Sequence, residues 1–124
     1  KLISETANRN EIKNCNDLVY KLTGYKMTLF APPSGSFSNA TLKVASELNM
    51  STIMWSKDTI DWRDNDKSII ISRATSGVNS GDLILMHPKE HTLAVMQDII
   101  DKIKGNGLEL LTVSECAMLS TVVV

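Results

Sequence analysis

Leu83-Ile84-Leu85-Met86-His87-Pro88 is the stretch that decides the fold class. Four consecutive apolar residues without alternation read as a parallel strand covered on both faces, because a strand with one wet face alternates instead. Pro88 cannot continue a hydrogen-bonded ladder, and it suits the first turn of a helix, where its missing N–H is not needed. A strand therefore ends at His87 and a helix follows. Leu93, Met96, Ile99, Ile100 and Ile103 recur at helical spacing as that helix's buried stripe, and Gly105 and Gly107 stop it.

The same alternation extends in both directions. Upstream, Ile12, Cys15, Leu18, Val19 and Leu22 form the apolar face of a helix over residues 11–22, with Gly24 placed for a left-handed stop. Residues 27–30 form a short apolar strand closed by Pro32 and Pro33. Ser38 caps a helix whose face is Leu42, Ala45 and Leu48, with Val44 at its margin. Residues 51–55 read as a buried strand, and an acid-rich turn over 57–66 leads into a helix over 67–75. Downstream, residues 108–113 read as a last strand, and Ser114 as the cap of a terminal helix. The fold class is α/β, with about four parallel strands alternating with helices. Four strands are few for a closed barrel, so the sheet edges call for cover from further sequence or from a second copy.

A chain of 124 residues with 43% hydrophobic content fits one domain. Thirteen basic and fourteen acidic residues give no field that favours nucleic acid or an anionic membrane, which leaves function to a local site. No apolar run approaches the roughly 20 residues of a membrane helix. The sequence opens at Lys1 rather than Met, which implies residues upstream. Cys15 and Cys116 lack metal-ligand spacing and read as buried, reduced thiols, with a disulfide or redox role as the alternative.

In parallel sheets the reactive groups gather beyond the carboxyl ends of the strands. Three such places stand out: Ala31-Pro32-Pro33-Ser34-Gly35-Ser36-Phe37, Asp58-Thr59-Ile60-Asp61-Trp62, and Leu85-Met86-His87. All three are expected on one face. Each has a bland reading beside the chemical one. An Asp after a strand caps a turn, a Trp packs, and a His at a strand end is hydrogen-bonded in place. His87 and His91 have the i, i+4 spacing of two ligands on one helix face, but Pro88 breaks the segment between them and no third ligand stands at a recognised spacing. His91 is expected as an exposed first-turn residue and not as a metal ligand.

The ordered set of a Pro-Pro-x-Gly turn, Asp58-x-x-Asp61-Trp62 and Leu85-x-His87 resembles motifs three, four and five of the polysaccharide deacetylases, the NodB-homology or carbohydrate esterase family four group. Leu111-Thr112-Val113-Ser114-Glu115 is similar to that family's last strand and helix. The resemblance spans nearly the whole chain and implies the C-terminal half of a distorted (β/α) barrel, with residues 1–124 a single partial domain. It implies hydrolysis of acetyl groups on chitin, peptidoglycan or xylan, with a divalent, Zn-type metal polarising the acetyl carbonyl and activating water. On that pattern His87 is the general acid, Asp61 the carboxylate that pairs with it and keeps it cationic, and Trp62 and Leu85 the apolar walls around the acetyl methyl. Pro33 and Ser34 fall in the substrate-binding turn, and Asp58 is the outer acid of its motif.

The pattern also has gaps. Motif three of the family opens with Arg, which pairs with the aspartate base of motif one, and here Ala31 stands in that place, with Ser34 where Tyr is usual. Motif one and the His pair of motif two are missing from these residues, so the metal ligands are expected outside this chain, and the chain alone is expected to be inactive. Ala-Pro-Pro-Ser-Gly-Ser-Phe with Met-His-Pro is similar to a sporulation-associated branch whose metal motifs are often degenerate. Two functions follow from the resemblance: the acid half of an extracytoplasmic, cell-envelope deacetylase, or an inactive glycan-binding or scaffold member. The implied partners are an acetylated polysaccharide and either the missing N-terminal half or a second copy, as a homo-oligomer.

Overall fold

A computed structural model describes residues 3–120, which fall into two compact units, one reaching Met54 and one starting at Trp55. The first opens with helix α1 (Glu5–Thr23), capped by the Ser4 hydroxyl on the Ala7 N–H and stopped by Gly24 at φ 70°. Strand β1 (Leu29–Phe30) follows, then a single turn at Pro33–Gly35, helix α2 (Asn39–Glu47) and strand β2 (Ser51–Thr52). The two strands pair in parallel, with Leu29 opposite Ser51. Ser38 and Thr41 close a reciprocal capping box at the start of α2.

Helix α1 starts six residues before its expected beginning, and its buried face differs from the expected stripe. Asn8 and Ile12 are buried, whereas Leu18 is 56% and Leu22 73% exposed. The cause is the partner's length. α2 has nine residues against nineteen in α1, and the hydrogen bonds and ion pairs that tie them fall on the early turns of α1. Thr41 Oγ1 donates to Asn8 Oδ1 at 3.2 Å, Lys43 reaches Glu5 at 3.1 Å, and Arg9 pairs with Glu47. Ile12, Val44, Ala45 and Met50 form this unit's core. Cys15, on the uncovered part of α1, is exposed rather than buried, and Cys116 is half-buried.

The second unit contains strand β3 (Lys57–Asp58), helix α3 (Lys67–Thr75), strand β4 (Ile84–Leu85), a short helix α4 (Glu90–Leu93), helix α5 (Met96–Gly105) and helix α6 (Val113–Ser120). Strands β3 and β4 pair in parallel, with Asp58 opposite Leu85. The expected α/β class with parallel strands is what the chain adopts, as two separate two-stranded ladders among the described residues. Two details differ. The strand expected over 51–55 ends at Thr52, and Lys57 and Asp58, expected in a turn, pair with β4 instead. Residues 83–86 are each half-buried, short of the two-sided cover that their apolar run implies.

Ile70 and Ala74 from α3 meet Val95, Ile99 and Ile103 in the core of this unit, with Ile84 and Met86 packed against them. The stripe expected after His87 is therefore partly right: Ile99 and Ile103 are buried, but Leu93 is 75% exposed, because the chain turns between α4 and α5 and Val95 takes the inward place. Residues 108–113 form no ladder, since no neighbouring strand offers one among the described residues, and Leu110 and Leu111 stay exposed. The cap of α6 is Thr112 rather than Ser114. Its N–H and hydroxyl donate to Glu115 Oε2 at 2.8 and 2.7 Å, and its Oγ1 accepts from the Glu115 N–H.

Both tryptophans, Trp55 and Trp62, lie in the second unit, so their fluorescence reports its unfolding. Ile99→Ala is expected to destabilise it by about 2–5 kcal/mol in urea titrations, as a large-to-small change in a closed core does. Leu93→Ala is expected to stay within about 0.5 kcal/mol of the parent chain. Equal losses at the two positions would contradict this division of the stripe.

Candidate functional site

The loop after β3 delivers one carboxylate into the protein interior. Asp58 Oδ1 accepts the Ile60 N–H at 2.8 Å, a side-chain turn that lets the backbone reverse. Thr59 is fully buried and ties the loop to β4, its hydroxyl donating to the Leu85 carbonyl at 2.9 Å. From α3, Arg73 Nη1 donates to the Thr59 carbonyl at 3.1 Å and to Asp64 Oδ2 at 2.7 Å, so one guanidinium holds both sides of the loop. Ile60 sits at φ 54°, a left-handed conformation that costs a β-branched residue on the order of 1–3 kcal/mol. The next residue is Asp61, whose side chain has no solvent exposure.

Taking a carboxylate out of water costs several kcal/mol, so its oxygens must be answered. Asp61 Oδ2 accepts the His87 backbone N–H at 2.7 Å and the Thr92 hydroxyl at 2.6 Å, and Oδ1 lies 2.7 Å from His87 Nδ1. Its main-chain carbonyl lies 2.8 Å from His91 Nε2. Hydrogen bonds to an ionised group contribute about 1.5–3 kcal/mol each, so three of them outweigh the desolvation. Burial pushes the Asp61 carboxyl up, but the His87 N–H, the Thr92 hydroxyl and the His87 ring together hold it at about 2. Asp64 is also held at about 2, by Arg63 and then Arg73.

An ionised Asp61 accepts and cannot donate, so the proton between it and the ring belongs to His87 Nδ1. That leaves Nε2 as the nitrogen that gains or loses a proton, and among the described residues no hydrogen bond engages it. The His87 side chain is 36% exposed and thus open to a reactant. Such a pair can donate a proton and take it back.

Asp61 and His87, separated by 26 residues in sequence, are brought into direct contact. Leu85 is half-buried at the end of β4, two residues before His87. Trp62 is 56% exposed, with the Arg63 guanidinium 5.8 Å from its ring. Pro33 and Ser34 belong to the first unit, on an exposed turn where Ser34 has φ 55°. His91 is not the exposed residue expected, since helix α4 turns it onto the Asp61 carbonyl. Asp58 takes the bland role, closing a turn. Thr92 and Arg73 were passed over in the sequence. Both read there as ordinary helix positions, because no local spacing marks a side chain whose partner lies in another loop.

The donors present do not suit a divalent metal. Among the described residues no group of three or more His, Cys, Asp or Glu converges, and both oxygens of Asp61 are occupied by hydrogen bonds. No helix among them is long and apolar enough to cross a membrane.

Residues 2–53 match the family described as polysaccharide deacetylase. Protein YlxY of Bacillus subtilis is 39% identical over 105 residues, 85% of this chain and 33% of that protein. The peptidoglycan-N-acetylmuramic acid deacetylase PdaC of Bacillus subtilis is 33% identical over 106 residues, 85% of this chain and 22% of that protein. A CE4 family pseudoenzyme from Bacillus anthracis superposes with a TM-score of 0.90 at 33% identity, over 94% of this chain and 41% of the other. The chain resembles the polysaccharide deacetylase family over most of its length. It spans a third or less of these two curated relatives. The family match ends before Asp61, so the reading of the residues around His87 rests on their geometry.

The Asp61 carboxyl sits at about 2 in the folded chain against an ordinary 3.8. Between those values the unfolded chain binds more protons, so the stabilisation is complete above about pH 5 and is lost as pH falls through about 2. Its size is roughly 2 kcal/mol. Denaturant titrations from pH 5 to 2 are expected to show this loss, and Asp61→Asn to remove most of it. Asp64 adds a smaller, solvent-screened contribution of the same sign.

Proposed function

We propose that the protein containing this chain removes acetyl groups from a cell-envelope glycan of the peptidoglycan or chitin type, and that this chain supplies the general acid. The observation that carries the reading is the His87 ring held by a buried, ionised Asp61 with Nε2 left to exchange its proton. Hydrolysis bonds a water oxygen to the acetyl carbonyl carbon and breaks the bond to nitrogen. The leaving amine needs a proton as that bond breaks, and His87 Nε2–H gives it. Asp61 keeps the donor aligned. Trp62 and Leu85 supply apolar surface for the acetyl methyl. The residues that activate water, with a divalent metal if one is used, lie outside this chain, and the work is extracytoplasmic. Residues 1–124 are then one partial domain of a (β/α) barrel, completed by the N-terminal half or by a second copy.

A second reading has its own support. Ala31 is exposed where the family pattern places Arg, and the similar Bacillus anthracis protein is a pseudoenzyme. An inactive member would keep the Trp62, Leu85 and His87 surface for binding glycan or as a scaffold.

Acetate release from an acetylated chito-oligomer, measured with the full-length protein, separates the two. The enzyme reading expects turnover, with His87→Ala lowering kcat by about 10²- to 10⁴-fold, and no acetate from the 124-residue chain alone. Glycan binding without turnover, at any metal supply, would favour the second reading.

A further inference from the structure

The segment from His87 to His91 has the spacing of two metal ligands, and the structure uses it otherwise. Both imidazoles, together with Thr92, converge on a single residue from the segment after β4 and from α4. His87 takes Asp61 Oδ1, Thr92 takes Oδ2 at 2.6 Å, and His91 Nε2 reaches the Asp61 main-chain oxygen at 2.8 Å. A carbonyl oxygen only accepts, so His91 carries its proton on Nε2. Thr92 is 2% exposed and spends its one hydroxyl proton on the carboxylate. Asp61 is thereby gripped at its side chain and its backbone at once, on the loop that Ile60 enters at φ 54°.

We infer that His91 and Thr92 are positioning residues for His87, clamping Asp61 so that the acid's ring stays in the tautomer protonated on Nδ1. This rests on the reading of His87 as the general acid, but the clamp is measurable without catalysis. Free imidazole in a peptide favours the other tautomer, with the proton on Nε2. An Asp61 free to turn away would let His87 return toward that preference, whereas a residue that only packs would leave the ring's tautomer unchanged.

The test is nitrogen-15 NMR of the His87 ring in the 124-residue chain, at a pH where the ring is neutral, with amide spectra to establish folding. The parent chain is expected to show the Nδ1–H form almost alone. Thr92→Val removes the hydroxyl at constant volume, and His91→Phe removes the donor while keeping a ring. Each is expected to give a mixture of tautomers with at least a several-fold rise in the Nε2–H form. His91→Gln, which places an N–H donor near the lost Nε2, and Thr92→Ser are expected to restore the parent pattern. Parent-like spectra for folded His91→Phe and Thr92→Val would overturn the inference. So would a mixture in folded His91→Gln and Thr92→Ser, which is the deciding comparison should either loss variant fail to fold. Acetate release plays no part in this readout, so a full-length protein without turnover would remove the deacetylase reading and leave the clamp standing.

Discussion

A carboxylate withdrawn completely from water is tolerated only if hydrogen-bond donors replace the water, and the site of this protein is organised around that demand at Asp61. The backbone N–H and ring of His87 and the hydroxyl of Thr92 answer its two oxygens, and His91 answers its carbonyl. The donors come from the segment after β4 and from α4, while the acceptor comes from the loop after β3. Without the carboxylate, the buried Thr92 hydroxyl and the part-buried His87 N–H would lack partners; without those donors, the carboxylate could not stay ionised inside. The loop's other features serve the same placement. Asp58 closes the turn, Thr59 fastens it to Leu85, and Arg73 ties Thr59 to Asp64. The left-handed Ile60 is the strain this arrangement carries, which the surrounding hydrogen bonds offset.

Much of this was legible in the sequence, for reasons that differ by residue. The apolar run before His87 and the helix-breaking Pro88 announced a parallel strand followed by a helix, because both depend on local rules. The partnership of Asp61 and His87 came from motif order, and no periodicity would have given it. What escaped was of another kind. Leu18 and Leu22 carry helical spacing but no burial, because spacing names a face and cannot say how long the covering element is. Residues 108–113 have strand composition without a strand, because a ladder needs a neighbour. Thr92 and His91 escaped because a helix position gives no sign that its side chain meets a distant loop.

The same distinction separates family from chemistry. The chain resembles the polysaccharide deacetylases, and the Asp61–His87 geometry is complete within the second unit. On the proposed reading, Ala31 and the lack of a convergent metal-ligand group among the described residues concern the other half of the reaction, the making of a nucleophile. A proton donor and a nucleophile are separate requirements, so a well-built His87 is compatible with an active protein and with one that has kept the fold and lost the chemistry.

The account depends on Asp61 being an ionised, fully answered carboxylate at the centre of the second unit. Carbon-13 NMR of its side-chain carboxyl, titrated in the folded chain, tests this directly. The account predicts a titration midpoint near 2. A midpoint at the ordinary aspartate value near 4 would show a carboxylate that its neighbours do not hold, and would contradict it.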